Sequence, residues 1–192
     1  MMPRNESPIP FCMIGFLAVA VFCVCWITAV CADPTWKFGK DSLSDMGVSD
    51  VPLTADLFMA ACIITGLLGM VFSLSKIKFE KGGNRISGYL LLASCFFLIG
   101  VGIFNMEYNG GDMHYLNAYL FFGLILLSVI ASAVGDYSEG RYKYLAATVG
   151  LLVLIFGCVA LTEFAMYEAI GVIAAMVWLV LQSLKLVIAS LN

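Results

Sequence analysis

Charged residues divide this sequence into six long uncharged runs, and this feature constrains the fold more than any other. Five of the runs contain 19 to 26 residues, and the last, 169–184, contains 16. A helix needs about 20 apolar residues to cross the ~30 Å hydrocarbon core of a bilayer. Because only 12% of the residues are charged and 62% are hydrophobic, the chain cannot cover a globular surface with polar groups. We therefore predict an all-α, polytopic integral membrane protein, with six transmembrane helices in a single domain, 1–192.

The predicted spans follow these runs. The first run is expected to remain as a span and not to be removed as a signal peptide, because it exceeds the usual apolar core of about 7–15 residues. The sixth run is short for a span, so either Lys185 snorkels toward the headgroups or Glu168 lies within the first turn or so of the helix, or both. The one long connection, 33–53, is an outer loop rich in turn residues. The spans are about 9–32, 55–75, 86–105, 115–135, 144–162 and 165–187.

The basic residues predict the orientation of the bundle. If the amino terminus is cytoplasmic, eight of the ten Lys and Arg residues lie inside and only Lys37 and Lys40 lie outside. This bias satisfies the positive-inside rule for short loops, so both termini are predicted to be cytoplasmic and the protein to be a multi-pass protein of the plasma membrane. The basic connection from Lys76 to Arg85 is expected to be solvated beside anionic headgroups. Nine of the thirteen acids then lie outside, which the rule does not explain.

Several polar residues of the outer segments are candidates for a shared binding site. Glu168 is the strongest, because an ionisable group within a span usually faces the bundle interior and marks either a site or a structural polar contact. His114, the only histidine, is either a general base beside a carboxylate or an interfacial residue that caps the fourth span. Asp45 is either a ligand or a turn residue whose carboxylate binds its own backbone. The full candidate set is Ser44, Asp45, Asn105, Glu107, Asp112, His114 and Glu168.

Other classes of chemistry leave no clear signal in the sequence. Carboxylates with one imidazole could hold a divalent cation, but no metal-ligand spacing is present. A zinc site normally needs about three strong protein ligands, and the chain has only one His. We therefore predict no metal and no cofactor. No nucleophile motif or phosphate loop is present, so no catalytic residue is assigned. The seven cysteines match no zinc or haem pattern and are predicted to pack as small apolar side chains. A basic patch interleaved with aromatic residues is also lacking, which excludes nucleic acid as a predicted partner.

Three motifs carry a resemblance to a known family. They are DSLSDMG at 41–47 with ADLF at 55–58 and GLLG at 66–69; LIGVGIF at 98–104 with HYL at 114–116 and FF at 121–122; and AMYE at 165–168 with VW at 177–178 and SLKL at 183–186. The chain resembles a family of six-helix prokaryotic membrane proteins that is classed only as a domain of unknown function. It is also distantly similar to the Frag/DRAM/Sfk group of membrane proteins.

The resemblance covers almost the whole chain and implies a fold and a topology, but no activity. Two positions depart from the family pattern: Met59 stands where Asn is common, and Asn105 where Pro is common. The missing Asn weakens the expectation of a polar network at the top of the second span.

Three functional hypotheses remain open. The first is a protein, not an enzyme, with an outward-facing acidic cavity that binds a lipid headgroup, a small cationic solute or a cation. The second is a metal-assisted hydrolase that modifies lipids. The third is a structural or partner subunit of a membrane assembly. Membrane lipids are the predicted partners in each case, and the oligomeric state is not predicted.

Overall fold

The protein folds into six α-helices joined by mostly short connections. A computed structural model describes residues 9–191. Within these residues the helices are α1 (Ile9–Ala32), α2 (Pro52–Phe79), α3 (Gly82–Ile103), α4 (Asp112–Ser138), α5 (Tyr142–Val159) and α6 (Phe164–Leu191). Two 3-10 helices, Ser44–Val48 and Tyr108–Gly111, lie in the connections before α2 and before α4. The predicted all-α fold is confirmed.

Five helices of the described part of the chain, α1 to α4 and α6, are long and apolar enough to cross a membrane. The helix α5 has 18 residues, which rise about 27 Å at 1.5 Å per residue. That length is slightly less than a ~30 Å hydrocarbon core, so the sixth crossing stays a prediction. The single domain 1–192 and the cytoplasmic termini also stay predictions, and Arg4, which contributes to the charge bias, lies outside the described residues.

Local sequence explains where several helices begin and end. Pro52 is the first residue of α2, a position where proline costs no hydrogen bond and its fixed φ suits the helix. The residue before α4, Gly111, has a φ of 87°, which glycine adopts without a steric penalty. Lys76 and Lys78 occupy the last turn of α2, where positive charge interacts favourably with the helix dipole.

The helices α3 and α4 pack closely because glycines remove side chains from their contact. A Cβ atom on Gly83 would lie 2.6 Å from the carbonyl oxygen of Ala131 and 2.7 Å from the backbone nitrogen of Gly135. Small residues allow backbones to approach in this way in membrane bundles. Farther along the bundle, an apolar core that includes Phe72, Leu91 and Trp178 fills the interior. The charged side chains that face the interior lie toward the two ends of the bundle, which we name by their residues as the Glu168 end and the Lys185 end.

A cap loop, defined as residues 33–51, covers the Glu168 end. Its buried residues Trp36, Leu43 and Met46 pack against Ala29 of α1 and Ala169 of α6. The indole nitrogen of Trp36 donates a hydrogen bond to the carbonyl of Ser42 at 2.8 Å. The apolar side of the cap loop therefore packs directly onto this end of the bundle.

Asp33 ties the two ends of the cap loop together. Its carboxylate accepts hydrogen bonds from the hydroxyls of Ser49 and Thr35, both at 2.5 Å. These bonds, that from Ser49 first, hold the pKa of the Asp33 carboxyl below its ordinary value. The loop is thus closed by a local polar network at its base.

Candidate functional site

Glu168 is the fifth residue of α6 and is half-buried below the cap loop. Its Oε2 atom accepts a hydrogen bond of 2.8 Å from the backbone N–H of Leu43. The hydroxyl and the backbone of Ser44 also interact with this carboxylate. The carboxylate therefore faces the bundle and contacts a segment 125 positions away in sequence, as expected for an ionisable group within a span.

His114 is the third residue of α4 and is only 2% exposed. Its Nδ1 lies 2.8 Å from the carbonyl oxygen of Phe104, the residue that follows α3. Because a carbonyl can only accept, Nδ1 carries the proton in this contact, and in the neutral ring Nε2 is left as an acceptor. This bond ties the start of α4 to the end of α3, which is the structural role that the sequence allowed.

Two adjacent spaces meet at these side chains. A central cavity of about 90 Å³ lies between α1, α2, α3, α4 and α6. A larger cleft of about 460 Å³ lies between α4, α5 and α6. His114 and Glu168 line both spaces, and Trp178 forms part of the wall of both. The remaining lining is mainly aliphatic and aromatic.

The cleft is open on the outer surface of the bundle. Tyr119 of α4 and Phe156 of α5 both line it and are 71% and 57% exposed. The opening therefore lies on the lateral surface of the bundle, beside the end that the cap loop covers.

The seven candidate residues separate into two groups. Ser44, His114 and Glu168 line the cleft. The other four lie elsewhere: Asp45 Oδ2 accepts a bond of 2.6 Å from Ser42 N, Asn105 Oδ1 accepts one of 3.1 Å from Tyr108 N, and Glu107 and Asp112 are exposed. Asp45 and Asn105 thus bind their own backbone as turn residues do. A ligand-binding role for these four residues stays a prediction.

Within residues 9–191, no group of three or more His, Cys, Asp or Glu side chains is placed to hold a metal ion. The seven cysteines, all in this part of the chain, are free, and only Cys31 is exposed. No observation at the Glu168 end therefore favours the metal-assisted hydrolase.

A second polar cluster, which the sequence did not predict, lies at the Lys185 end. The side chains of Lys76, Asp136 and Lys185 in this cluster are at most 1% exposed. The expectation that Lys76 is solvated is wrong. Of the two explanations for the short sixth run, Glu168 does lie within α6, and Lys185 does not snorkel toward the headgroups. This Lys185 cluster consists of Lys76, Glu80, Asn84, Ser132, Asp136, Arg141, Gln182 and Lys185.

Lys185 and Lys76 find partners on other helices. Lys185 Nζ donates to Asn84 Oδ1 at 2.7 Å and to Asp136 Oδ1 at 3.0 Å. Lys76 Nζ donates to Gln182 Oε1 at 2.6 Å and lies 5.8 Å from the centre of the Trp178 ring. The contact with Asp136 makes burial of the Lys185 ammonium group tolerable, because charges removed from water are stable only when they are paired and hydrogen-bonded. The partner of Lys76 is a neutral amide.

Arg141 joins three carboxylates at the surface of the cluster. Its Nη2 lies 2.8 Å from Glu80 and 3.0 Å from Glu139, and its Nε lies 3.1 Å from Asp136 without the alignment of a hydrogen bond. Burial alone would raise the pKa of the Glu80 carboxyl, but the hydrogen bond from Arg141 and the charge of Lys185 hold that pKa below its ordinary value. The pKa of Arg141 is raised, because its carboxylate partners outweigh its own burial.

The sequence contained one signal for this cluster. Asn84, Ser132 and Gln182 are polar residues in or beside predicted spans, and all three are fully buried. Polar groups at such positions usually meet one another inside a bundle. Each is a weak signal alone, since their convergence depends on the packing of three helices.

The fold and its lining define the class of protein. A helical bundle with five long apolar helices in the part of the chain that the structure describes is a multi-pass integral membrane protein. The family described as Protein of unknown function (DUF998) matches residues 16–185, and this chain belongs to that family. The resemblance stated above is therefore confirmed, while the distant similarity to the Frag/DRAM/Sfk group stays a prediction. Neither a curated protein nor a solved structure matches the chain.

Proposed function

We propose that this protein binds an amphipathic molecule from the bilayer, with the apolar chain in the α4–α5–α6 cleft and the polar group at Glu168 and His114. The observation that carries the proposal is the combination of an apolar cleft of about 460 Å³ with a carboxylate and an imidazole at one end. Ligand pockets of proteins usually measure about 300–1,000 Å³ and are mainly apolar, with few polar groups to orient the ligand.

The lining favours a lipid-like ligand over the other ligands considered. A cation such as Ca²⁺ or Mg²⁺ requires several oxygen ligands, and the cleft offers one carboxylate among aliphatic and aromatic side chains. A hydrophilic solute would lose its hydration without regaining hydrogen bonds. An acyl or alkyl chain, by contrast, gains contacts along this wall.

The route of entry follows from the cap loop and the lateral opening. The cap loop covers the aqueous end, whereas the exposed Tyr119 and Phe156 border an opening toward lipid. A ligand that dissolves in the bilayer therefore reaches the cleft without crossing water.

We further propose that the Glu168 end faces the exterior of the cell and the Lys185 end the cytoplasm. The support is the excess of Lys and Arg in the segments at the Lys185 end and at the termini. A tag after residue 192 should become reachable only after the plasma membrane of intact cells is permeabilised. Labelling of that tag from outside would reverse the orientation.

The binding proposal is tested by quenching of Trp178 fluorescence with a brominated long-chain alcohol in nanodiscs of a zwitterionic lipid. Trp178 lines the cleft, so a bromine atom on a bound chain should quench it saturably. Gly171→Leu should weaken saturable quenching about tenfold or more, because Gly171 lines the cleft and a leucine there occupies the space of the chain.

Gly150→Leu is the matched control for this experiment. A Cβ atom on Gly150 meets nothing within 4 Å, and Gly150 is exposed on α5. This variant should retain the quenching of the wild type. Quenching that does not saturate, or that is unchanged in Gly171→Leu, would refute the proposed cleft.

A further inference from the structure

The polar end of the cleft consists mainly of hydrogen-bond acceptors. Glu168 contributes a carboxylate, and the Nδ1–H of His114 is committed to Phe104, which leaves Nε2 as an acceptor in the neutral ring. Hydroxyl groups of Ser44 and of tyrosines at this end can donate or accept. The fixed groups therefore call for a ligand that donates.

The charge of the cleft points in the same direction. Of the described residues, Glu168 is the only charged one that lines either the cleft or the central cavity, since no Lys or Arg contributes to the walls. The ion pairs among these residues join Glu80, Asp136 and Glu139 to basic partners at the other end of the bundle, and none includes Glu168. A carboxylate in an apolar wall is stabilised most by a cation of opposite charge.

Glu168 also keeps room for such a cation. An ionised carboxylate can accept about four hydrogen bonds. The backbone N–H of Leu43 uses one position on Oε2, and the hydroxyl and the backbone of Ser44 also interact with the carboxylate, which leaves about one position. An ammonium group can take a remaining position while the cap loop stays in place.

We propose that the ligand of the cleft is an amphiphilic amine, that is, a single-chain molecule whose ammonium head pairs with Glu168 and whose chain follows the wall toward Trp178. The inference rests on the proposed function and names its ligand class. A phosphate or carboxylate head would place a second negative charge beside Glu168 with no Lys or Arg in the lining to offset it. Such like-charge contacts weaken binding and exclude wrong partners.

The test uses four brominated probes with the same alkyl chain and with ammonium, hydroxyl, carboxylate or phosphate heads. Each is titrated into nanodiscs of zwitterionic lipid, and the quenching in Gly171→Leu is subtracted as the background of free partitioning. The ammonium probe should bind at least about tenfold more tightly than the alcohol, as expected for one buried charge pair. The two anionic probes should bind more weakly than the alcohol.

Glu168→Gln separates charge from shape. Its amide oxygen can still accept from Leu43, so the cap loop is retained while the charge is lost. The affinity for the ammonium probe should fall to about that for the alcohol measured in the same variant. Glu163→Gln, an exposed position just before α6, is the matched control and should leave all four affinities unchanged.

The outcomes distinguish the two proposals. The amine proposal is refuted if quenching saturates with equal affinities for the ammonium and alcohol probes. It is also refuted if Glu168→Gln leaves the affinity for the ammonium probe unchanged. In both cases the proposed binding of an amphipathic molecule in the cleft is retained. A tighter anionic probe also overturns the amine proposal. If no probe quenches saturably, the proposed function itself fails, and the amine fails with it.

Discussion

Replacement of Lys185 by methionine should destabilise the protein strongly, because this ammonium neutralises a buried carboxylate. Lys185 is 1% exposed and donates to Asp136 Oδ1 at 3.0 Å and to Asn84 Oδ1 at 2.7 Å. Removal of one partner of a buried ion pair costs about 3–5 kcal/mol, because the other charge stays buried without compensation. Asp136 keeps the nearby Nε of Arg141 at 3.1 Å, so we expect the lower end, about 3 kcal/mol.

The free energy of unfolding can be measured by titration of mixed micelles with SDS and followed by far-UV circular dichroism. The double variant Lys185→Met/Asp136→Leu removes both charges. Its loss of unfolding free energy should be smaller than the summed losses of the two single variants by about 1–3 kcal/mol. Lys143→Met is the matched control, since Lys143 is exposed at the same end, and it should change stability by less than about 0.5 kcal/mol. A Lys185→Met protein as stable as the control, or strictly additive effects, would refute the assigned charge pairing.

Two further predictions concern the Lys185 end and the α3–α4 contact. Burial raises the pKa of Glu80, but its basic partners lower that pKa by more. The ionised Glu80 carboxylate therefore contributes its full stabilisation above the ordinary glutamate pKa of about 4.3, and this contribution is lost as the pH falls through the pKa of Glu80 in the folded protein. The stability gap between the wild type and Glu80→Gln should therefore be largest near neutral pH and close on acidification, and a gap independent of pH would contradict the ion pair with Arg141. Gly83→Ala should lower the free energy of unfolding by about 1–3 kcal/mol, because backbone atoms of α4 lie 2.6 Å and 2.7 Å from the added Cβ. In the control Gly150→Ala the added Cβ meets nothing within 4 Å, so this variant should be neutral or stabilised by up to about 1 kcal/mol. If Gly83→Ala and Gly150→Ala change the free energy of unfolding equally in the same SDS titration, the close α3–α4 contact is refuted.

The helices were predictable because lipid imposes a simple rule on composition. Uncharged runs of about 20 residues are long enough to cross a bilayer only as helices, and each predicted span overlaps a helix of the structure. The rule fails at the ends, where α2 continues past Lys76 to Phe79. A charged residue ends a span only if water solvates it, and Lys76 is instead paired with Gln182. Whether such a partner exists depends on another helix, so the sequence of α2 alone cannot predict it.

The candidate site was only partly predictable for a related reason. Glu168 was identified from its position within a span, since a lone carboxylate in a helix must face a polar partner. The side chains of Glu107 and Asp112 have the same chemistry but are exposed, the first in the connection before α4 and the second at the first residue of α4. Assignment to the outer side of a membrane gives the position of a residue along the membrane normal, but not whether its side chain faces the bundle interior or the surface. The orientation of the side chain is set by the rotation of each helix about its axis, and this rotation follows from packing.

The cap loop has a practical consequence for any measurement of affinity. The cap loop packs over the Glu168 end of the bundle, so under the proposed lateral entry the cleft exchanges its contents with the hydrophobic phase. The relevant concentration of a ligand is then its mole fraction among the lipids or detergents, and not its amount per litre of buffer. Binding curves recorded at two detergent concentrations should superimpose only when they are plotted on that scale.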